Sequence, residues 1–341
     1  MGAKVTRIAK WDNFKLFLII CVVIGHAVKP ELEVSRSARE AYWFIYLFHM
    51  PAFVLVSGMF AKRSIREKRY DRAFMFLLLF FLIKFLVFFV RLLLGERISI
   101  SLFTASGTEW YAFALFVYYL LTMFLQQFDK KYIMTAVLIL GCVAGYDTSL
   151  GDYLVLARLF TFFPFFFAGY CLSSESVLAF TGKRVVKVLA VLLIVAAVLV
   201  SILHVDDVFW TVDLLKGNTS YRIIERDIRI YGGLMRLGQY IISTALVFAL
   251  FALIPARRFP FTWMGRSTLP VYALHYALIE LFNGGMKGTE LLKKLCPDYY
   301  VILLVIMSVL LVCILSTKPF VLLVNRLIVP KKAGSTEDKS V

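Results

Sequence analysis

Residues 11–28 read WDNFKLFLIICVVIGHAV. Most of this run is what a membrane-spanning helix requires; three residues, Asp12, Lys15 and His26, are not. Lys15 and His26 are eleven residues apart. At about 100° per residue that is three full turns, so a helix puts both on one face, ~16 Å apart along its axis. Asp12 lies one turn before Lys15, on a neighbouring part of that face. A cation near the start of a span and an imidazole most of the way across are costly against lipid. The polar face is therefore expected to line a protein interior or a wet cavity, with His26 at the centre of a reaction site.

The rest of the chain extends this pattern. Its 341 residues are 61% hydrophobic and include 32 Phe, and apolar runs of roughly 16 to 23 residues recur along it. The fold class expected is all-α: a polytopic integral membrane helical bundle, in one domain because short loops leave no room for a second. The formal net charge of +16 needs no nucleic-acid partner, because Lys and Arg collect in the cytoplasmic loops of membrane proteins. Cys21, Cys142, Cys171, Cys296 and Cys313 are scattered and odd in number. Four fall in expected spans, where Cys packs as a small hydrophobe, and their spacing gives neither a metal site nor a disulfide framework. Lys4, Arg7 and Lys10 precede the first apolar run as in a signal peptide. No small-residue cleavage site follows, and the run carries Lys15 and His26, so it reads as an uncleaved first span.

About ten spans are expected, near 12–29, 41–61, 73–94, 109–127, 132–147, 155–173, 185–203, 233–254, 268–284 and 299–323. The loops alternate in charge. AKRSIREKRYDRA after the second span, Lys130 and Lys131, Lys183 to Lys187, and Arg257 to Arg266 are basic. KPELEVSRSARE, Asp147 with Asp152, and HVDDVFWTVD are balanced or acidic. Positive charge on every alternate loop puts both termini in the cytoplasm of a multi-pass cell-membrane protein. Within the long 204–232 connection, RIIERDIRI suits an interfacial helix as well as a plain connector. Residues 331–341 form a polar tail expected to be a disordered cytoplasmic segment, leaving 1–330 as the membrane domain.

Ionisable residues inside spans are the functional candidates. His26 and His49 both count to the outer half and can face each other; His is the side chain best suited to take a proton near neutral pH. For each, the plainer reading is a buried His satisfied by a backbone carbonyl. Pro51 should free a carbonyl in the second span. Ser57 and Gly58 permit close helix approach, or Ser57 lines a donor path. Lys84 and Arg91 lie in the third span, where Arg91 can snorkel outward. Glu109, Trp110 and Tyr111 suit an interface anchor or a sugar ring. Arg158 either binds an acceptor hydroxyl or anchors at the surface. His275 counts to the inner half of the ninth span, which Ser267 should cap. The sequence has no G-x-S-x-G elbow, H-E-x-x-H motif or P-loop, and GGMKG at 284–288 reads as a helix stop.

These stretches together resemble the membrane-bound acyltransferase-3 family, and within it the fucose 4-O-acetylase-like proteins. Asp12, Lys15 and His26 look like the family's first-span motif. FHMPAFVLVSGMFAKRS resembles its next block, EWYAFALFVYYLL its Trp-aromatic span, and ARLFTFFPFFFAGY its Arg–Phe–Pro–Phe–Gly segment. GRSTLPVYALH looks like its late Ser–Tyr–His motif, with Ser267, Tyr272 and His275. Lys15 stands where many members have Arg, and Lys offers a point charge rather than a planar, bidentate fork. The resemblance covers nearly the whole chain.

It implies an integral membrane O-acyltransferase that moves an acyl group, usually acetyl, from cytosolic acyl-CoA to a sugar hydroxyl of an extracytoplasmic polysaccharide or lipid-linked glycan. No metal is implied. The first-span His26 would be catalytic, with Asp12 and Lys15 beside it. Some members carry an extra hydrolase-like domain; with the chain ending at Val341, the acceptor is expected to be handled by the membrane domain or a partner. Donor phosphates would be held by Lys15 and by Lys62, Arg63, Arg66, Lys68, Arg69 and Arg72, although topology alone also explains that basic loop. His49, Ser57, Glu109, Trp110, Arg158 and His275 would form the substrate region. His26 acts as general base, or is itself acylated and relays the group. Neither the group that orients His26 nor the donor for the oxyanion is legible. Membrane lipid and a second copy of the chain are the remaining candidate partners. The alternative class is a proton-coupled transporter or flippase, with His26, His49 and Lys84 as relays; against it, no inverted repeat is visible.

Overall fold

A computed structural model describes residues 8–328 except 106 and 227. The tail expected at 331–341, and Lys4 and Arg7, lie outside the described residues. Among those described the chain is helical, with one isolated bridge between Thr104 and Tyr153. Helices α1 (Ala9–Val28), α2 (Arg36–Tyr46), α3 (His49–Arg66) and α4 (Tyr70–Leu93) form the first half of the bundle, followed by α5 (Trp110–Leu125), α6 (Lys130–Val143), α7 (Leu156–Cys171) and α8 (Ser174–Gly182). The second half holds α9 (Arg184–Val208), α10 (Thr211–Lys216), α11 (Gly232–Leu253), α12 (Thr268–Glu280), α13 (Gly288–Leu295), α14 (Tyr300–Leu315) and α15 (Lys318–Ile328).

Five of these are long and apolar enough to cross a membrane, or seven if the bent pairs α7–α8 and α14–α15 each count as one span. The other expected spans are shorter helices. At ~1.5 Å per residue, α6 and α12 are only ~20 Å long against a hydrocarbon core of ~30 Å. Apolar runs in the sequence continue through bends, of 92° after α7 and 67° after α14, which hydropathy does not register. RIIERDIRI also differs from the interfacial helix entertained for it: its described residues form turns. Ile224 and Ile228 are buried with Tyr221 and Leu214, so they face protein. The helix of that connection is α10.

The loops sort to two ends as their charges suggested. At the start of α1, Asn13 donates to the carbonyls of Pro255 and Arg257, at 2.9 and 3.0 Å, and Trp11 donates to Ser174. At the opposite end, Arg36 and Arg39 hold Asp206 at 2.7 and 2.9 Å, and Lys293 holds Glu31 at 2.6 Å.

Helix α1 is central: 72% of its span is buried inside the protein, against 17% for α9, whose Val188, Leu192 and Leu199 face outward. The tightest crossing joins α3 to α7. A Cβ on Gly58 would lie 1.9 Å from the Phe166 carbonyl oxygen, and one on Gly169 would lie 1.9 Å from that of Leu55. The small-residue reading of Gly58 is thus met by a reciprocal glycine on α7. Pro51 stands in the first turn of α3. The carbonyl it leaves without an N–H, that of Leu47, accepts the Ser243 hydroxyl at 2.6 Å. Ser267 precedes α12 without a side-chain cap bond: its backbone, at φ −109° and ψ 31°, is not in the extended conformation from which a cap hydroxyl reaches the first turn.

Candidate active site

The polar face read from the first span exists. Lys15, Ile19, Val22 and His26, at helical spacing on α1, line one cavity of ≈200 Å³ together with Phe53 and Tyr111. Its walls are mostly apolar. Ser57 faces it but is bonded to the Tyr111 hydroxyl at 2.7 Å. Asp12 does not join that lining. It is 1% exposed, pairs with Lys15 at 3.0 Å, and accepts from Arg266 at 3.3 Å. Asp12 therefore clamps the start of α1 to the turn before α12, where Gly265 sits against the Asp12 backbone carbonyl. Arg266, legible in the sequence only as a loop charge, is 254 residues away along the chain.

A second cavity, ≈190 Å³, lies past the other end of α1 and is polar. Lys29, His49, Asp152, Arg158, Lys216 and Asn218 line it. Asp152 accepts from Arg158 at 3.0 Å and from the Asn218 amide at 3.1 Å. That fixes the Asn218 amide and leaves its Oδ1, which is buried, without a hydrogen-bond partner. Arg158 packs over the Trp110 ring, 5.2 Å from its centroid. His49 has Nδ1 2.8 Å from the Ile45 carbonyl, so the proton of the neutral ring sits there and Nε2 is an acceptor. The two cavities share His26, Met50, Thr108 and Trp110.

His26 thus stands where an apolar chamber meets a polar one. Its ring lies 5.3 Å from that of His275, centroid to centroid, and 5.3 Å from Tyr276. The count along the ninth span had put His275 in the opposite half; α12 is short, and its Thr268 start brings His275 level with His26. His275 Nδ1 is 2.9 and 3.0 Å from the carbonyl oxygens of Val271 and Tyr272. Carbonyls only accept, so Nδ1 carries the proton of the neutral ring and Nε2 offers a lone pair. That Nε2 is buried without a hydrogen-bond partner, and so is His26 Nδ1. Tyr276 is backed by the Arg91–Glu280 pair, at 2.9 Å.

Other expected residues lie elsewhere. Arg63 pairs with Glu67 at 2.7 Å and Arg69 with Asp71 at 2.6 Å, both exposed. Lys62 donates to the Leu172 carbonyl. None of these three, nor Arg66, Lys68 or Arg72, lines either cavity. Glu109 sits behind Trp110, paired with Lys84 at 3.8 Å. The residues that reading the sequence missed are Lys29, Thr108, Asn218 and Tyr276, with Asp152 noted only as a loop charge. Lys29 carried a signal, being three residues past His26 on the same face; the others come from distant segments. No three His, Cys, Asp or Glu side chains gather as a metal site among the described residues.

An imidazole at such a junction can take a proton from a hydroxyl on its polar side while that oxygen attacks a carbonyl arriving from its apolar side. Residues 8–317 match the acyltransferase-3 family, described as an acyltransferase domain. Nodulation protein NolL of Mesorhizobium japonicum is 28% identical over 142 residues, which are 36% of this chain and 37% of that protein. No solved structure matches the chain.

Proposed function

The chain belongs to the acyltransferase-3 family, and from that premise we propose that this multi-pass membrane protein is an O-acyltransferase using acyl-CoA, with acetyl as the group and a sugar hydroxyl as acceptor. The supporting observation is the position of His26, shared by two cavities of opposite character. The apolar one suits the thioester and the uncharged arm behind it, with Lys15 at its far end. The polar one suits a polyhydroxylated acceptor, because His49 Nε2, Asn218 Oδ1 and Asp152 all accept hydrogen bonds from hydroxyls.

In this reading the acceptor hydroxyl lies against His26 Nε2. His26 takes its proton as the oxygen attacks the thioester carbon. The O–C bond forms, the C–S bond breaks, and the proton returns from His26 to the departing sulfur. His26 Nδ1 and His275 Nε2, both unpartnered in the resting protein on rings 5.3 Å apart, would meet as donor and acceptor once substrate is bound; that bond would select the tautomer with His26 Nε2 free and support the imidazolium in the transition state. Asp12 acts at a distance, by holding Lys15. The donor enters from the basic end of the bundle, the cytosolic face under the charge rule.

The test uses purified protein in liposomes with labelled acetyl-CoA, wild type beside His26→Ala. Release of CoA and transfer of label to a panel of glycans and lipid-linked sugars are followed. Transfer by the wild type, lost in a variant that still inserts and unfolds normally, is expected. Full activity in His26→Ala would remove the reading; a wild type that ignores acetyl-CoA but moves solute along a proton gradient would make it a transporter.

A further inference from the structure

Attack on a thioester puts negative charge on the carbonyl oxygen, and catalysis needs a donor already aimed at the place where that charge appears. We propose that Thr108 is that donor: its hydroxyl hydrogen-bonds the acyl oxygen as it becomes an oxyanion. The inference rests on the acyl-transfer reading and adds to it a catalytic residue outside every motif noted in the sequence.

Four residues line both cavities, and two of them can be set aside. Met50 has no hydrogen to give, and the Trp110 indole N–H, unlike the Thr108 hydroxyl, is not among the buried polar atoms left without a partner. His26 is the base. The Thr108 hydroxyl remains. Thr108 is 4% exposed, and its Oγ1 is buried without a hydrogen-bond partner. A buried hydroxyl in that state is unfavourable in the resting protein and is satisfied when a substrate oxygen arrives. Thr122 and Ser220 share the condition but line neither cavity. The Ser57 hydroxyl, inside the apolar cavity, is already bonded to Tyr111.

The donor is also held still. The Tyr272 hydroxyl donates to the Thr108 carbonyl at 2.7 Å and accepts the Ala112 N–H at 3.1 Å. The next residue, Glu109, is fixed by Lys84, which also donates to the Thr104 carbonyl. Tyr272 lies one turn before His275 on α12, so a single helix positions both the oxyanion donor and the partner of the base. The step balances without further reagents: Thr108 keeps its proton, lends a hydrogen bond while the tetrahedral oxygen is negative, and releases it when the C–S bond breaks.

The experiment compares Thr108→Val, which keeps the shape and loses the donor, with Thr108→Ser, which keeps the hydroxyl. Steady-state transfer in liposomes is measured with each substrate varied. Loss of one such donor lowers kcat about 10²- to 10³-fold. Thr108→Val is expected to show that fall with both KM values nearly unchanged, Thr108→Ser to recover most of it, and Thr108→Val to unfold no lower than the wild type. A Thr108→Val kcat close to wild type, a Thr108→Ser as slow as Thr108→Val, or an unfolding temperature that drops with the activity each overturns the proposal. Wild type that consumes no acyl-CoA removes the acyl-transfer reading itself, whereas active wild type beside equally active Thr108→Val removes Thr108 alone.

Discussion

Replacing His275 with Leu isolates the group that orients His26 in the proposed step. The side chain is fully enclosed, and Leu is apolar and of similar bulk, so the surrounding packing changes little. The carbonyls of Val271 and Tyr272 stay in the α12 ladder. What disappears is the unpartnered Nε2 lone pair, on a ring 5.3 Å from that of His26, that the proposed step gives to His26 Nδ1–H. A hydrogen bond to a group that becomes charged contributes ~1.5–3 kcal/mol, and each ~1.4 kcal/mol on the barrier is tenfold in rate. His275→Leu should therefore lower kcat about 10- to 150-fold with little change in either KM. His275→Gln, whose amide oxygen accepts, should recover part of the loss. The decisive comparison is the double variant. If His275 acts only through His26, His26→Ala with His275→Leu is no slower than His26→Ala alone. Wild-type turnover in His275→Leu, or a double variant showing the product of the two separate losses, would refute the reasoning.

Other outcomes follow from the two chambers and the helix crossing. Lys15→Ala should raise the KM for acyl-CoA and leave that for the acceptor, and Asn218→Ala should do the reverse; varying one substrate at a time checks both. Equal effects on the two KM values would mean that the chambers do not divide the substrates. Gly58→Ala forces a methyl into the Phe166 carbonyl, an overpacking cost of about 1–3 kcal/mol. It should lower the thermal unfolding midpoint in detergent, and an unchanged midpoint would contradict the closeness of α3 to α7.

The parts of the site that were legible in the sequence are those set by local periodicity. Lys15 and His26 share a face because 3.6 residues make a turn, and Ile19 and Val22 on that face line the same cavity. Pro51 announced a free carbonyl, and Gly58 a close crossing. What was not legible is who meets these features. Ser243, Gly169, Arg266 and His275 all lie more than a hundred residues from their partners, and a single sequence carries no record of such pairings. The basic loop at 62–72 stayed ambiguous for a related reason. Its charge fits topology and phosphate binding equally well, and only the ion pairs of Arg63 and Arg69 with neighbouring acids separate a solvated face from a lined site. The 204–232 connection had the composition of an amphipathic helix, yet Tyr221 donates to the Cys142 carbonyl and its N–H bonds Gly145. Tertiary contacts of this kind outweigh helix propensity in a segment this short.

The sharing of four lining side chains by the two cavities has an electrical consequence. The bulky carriers in the proposed step stay on their own sides of these four side chains and only the acyl group passes between them. In the proposed step an acyl unit moves one way as a hydroxyl proton moves the other, and the exchange is electroneutral. A full charge crossing the membrane would exchange ~2.3 kcal/mol with every 100 mV of potential; this exchange is indifferent to voltage. The enzyme would work at the same rate in energised and de-energised vesicles, driven by the thioester alone.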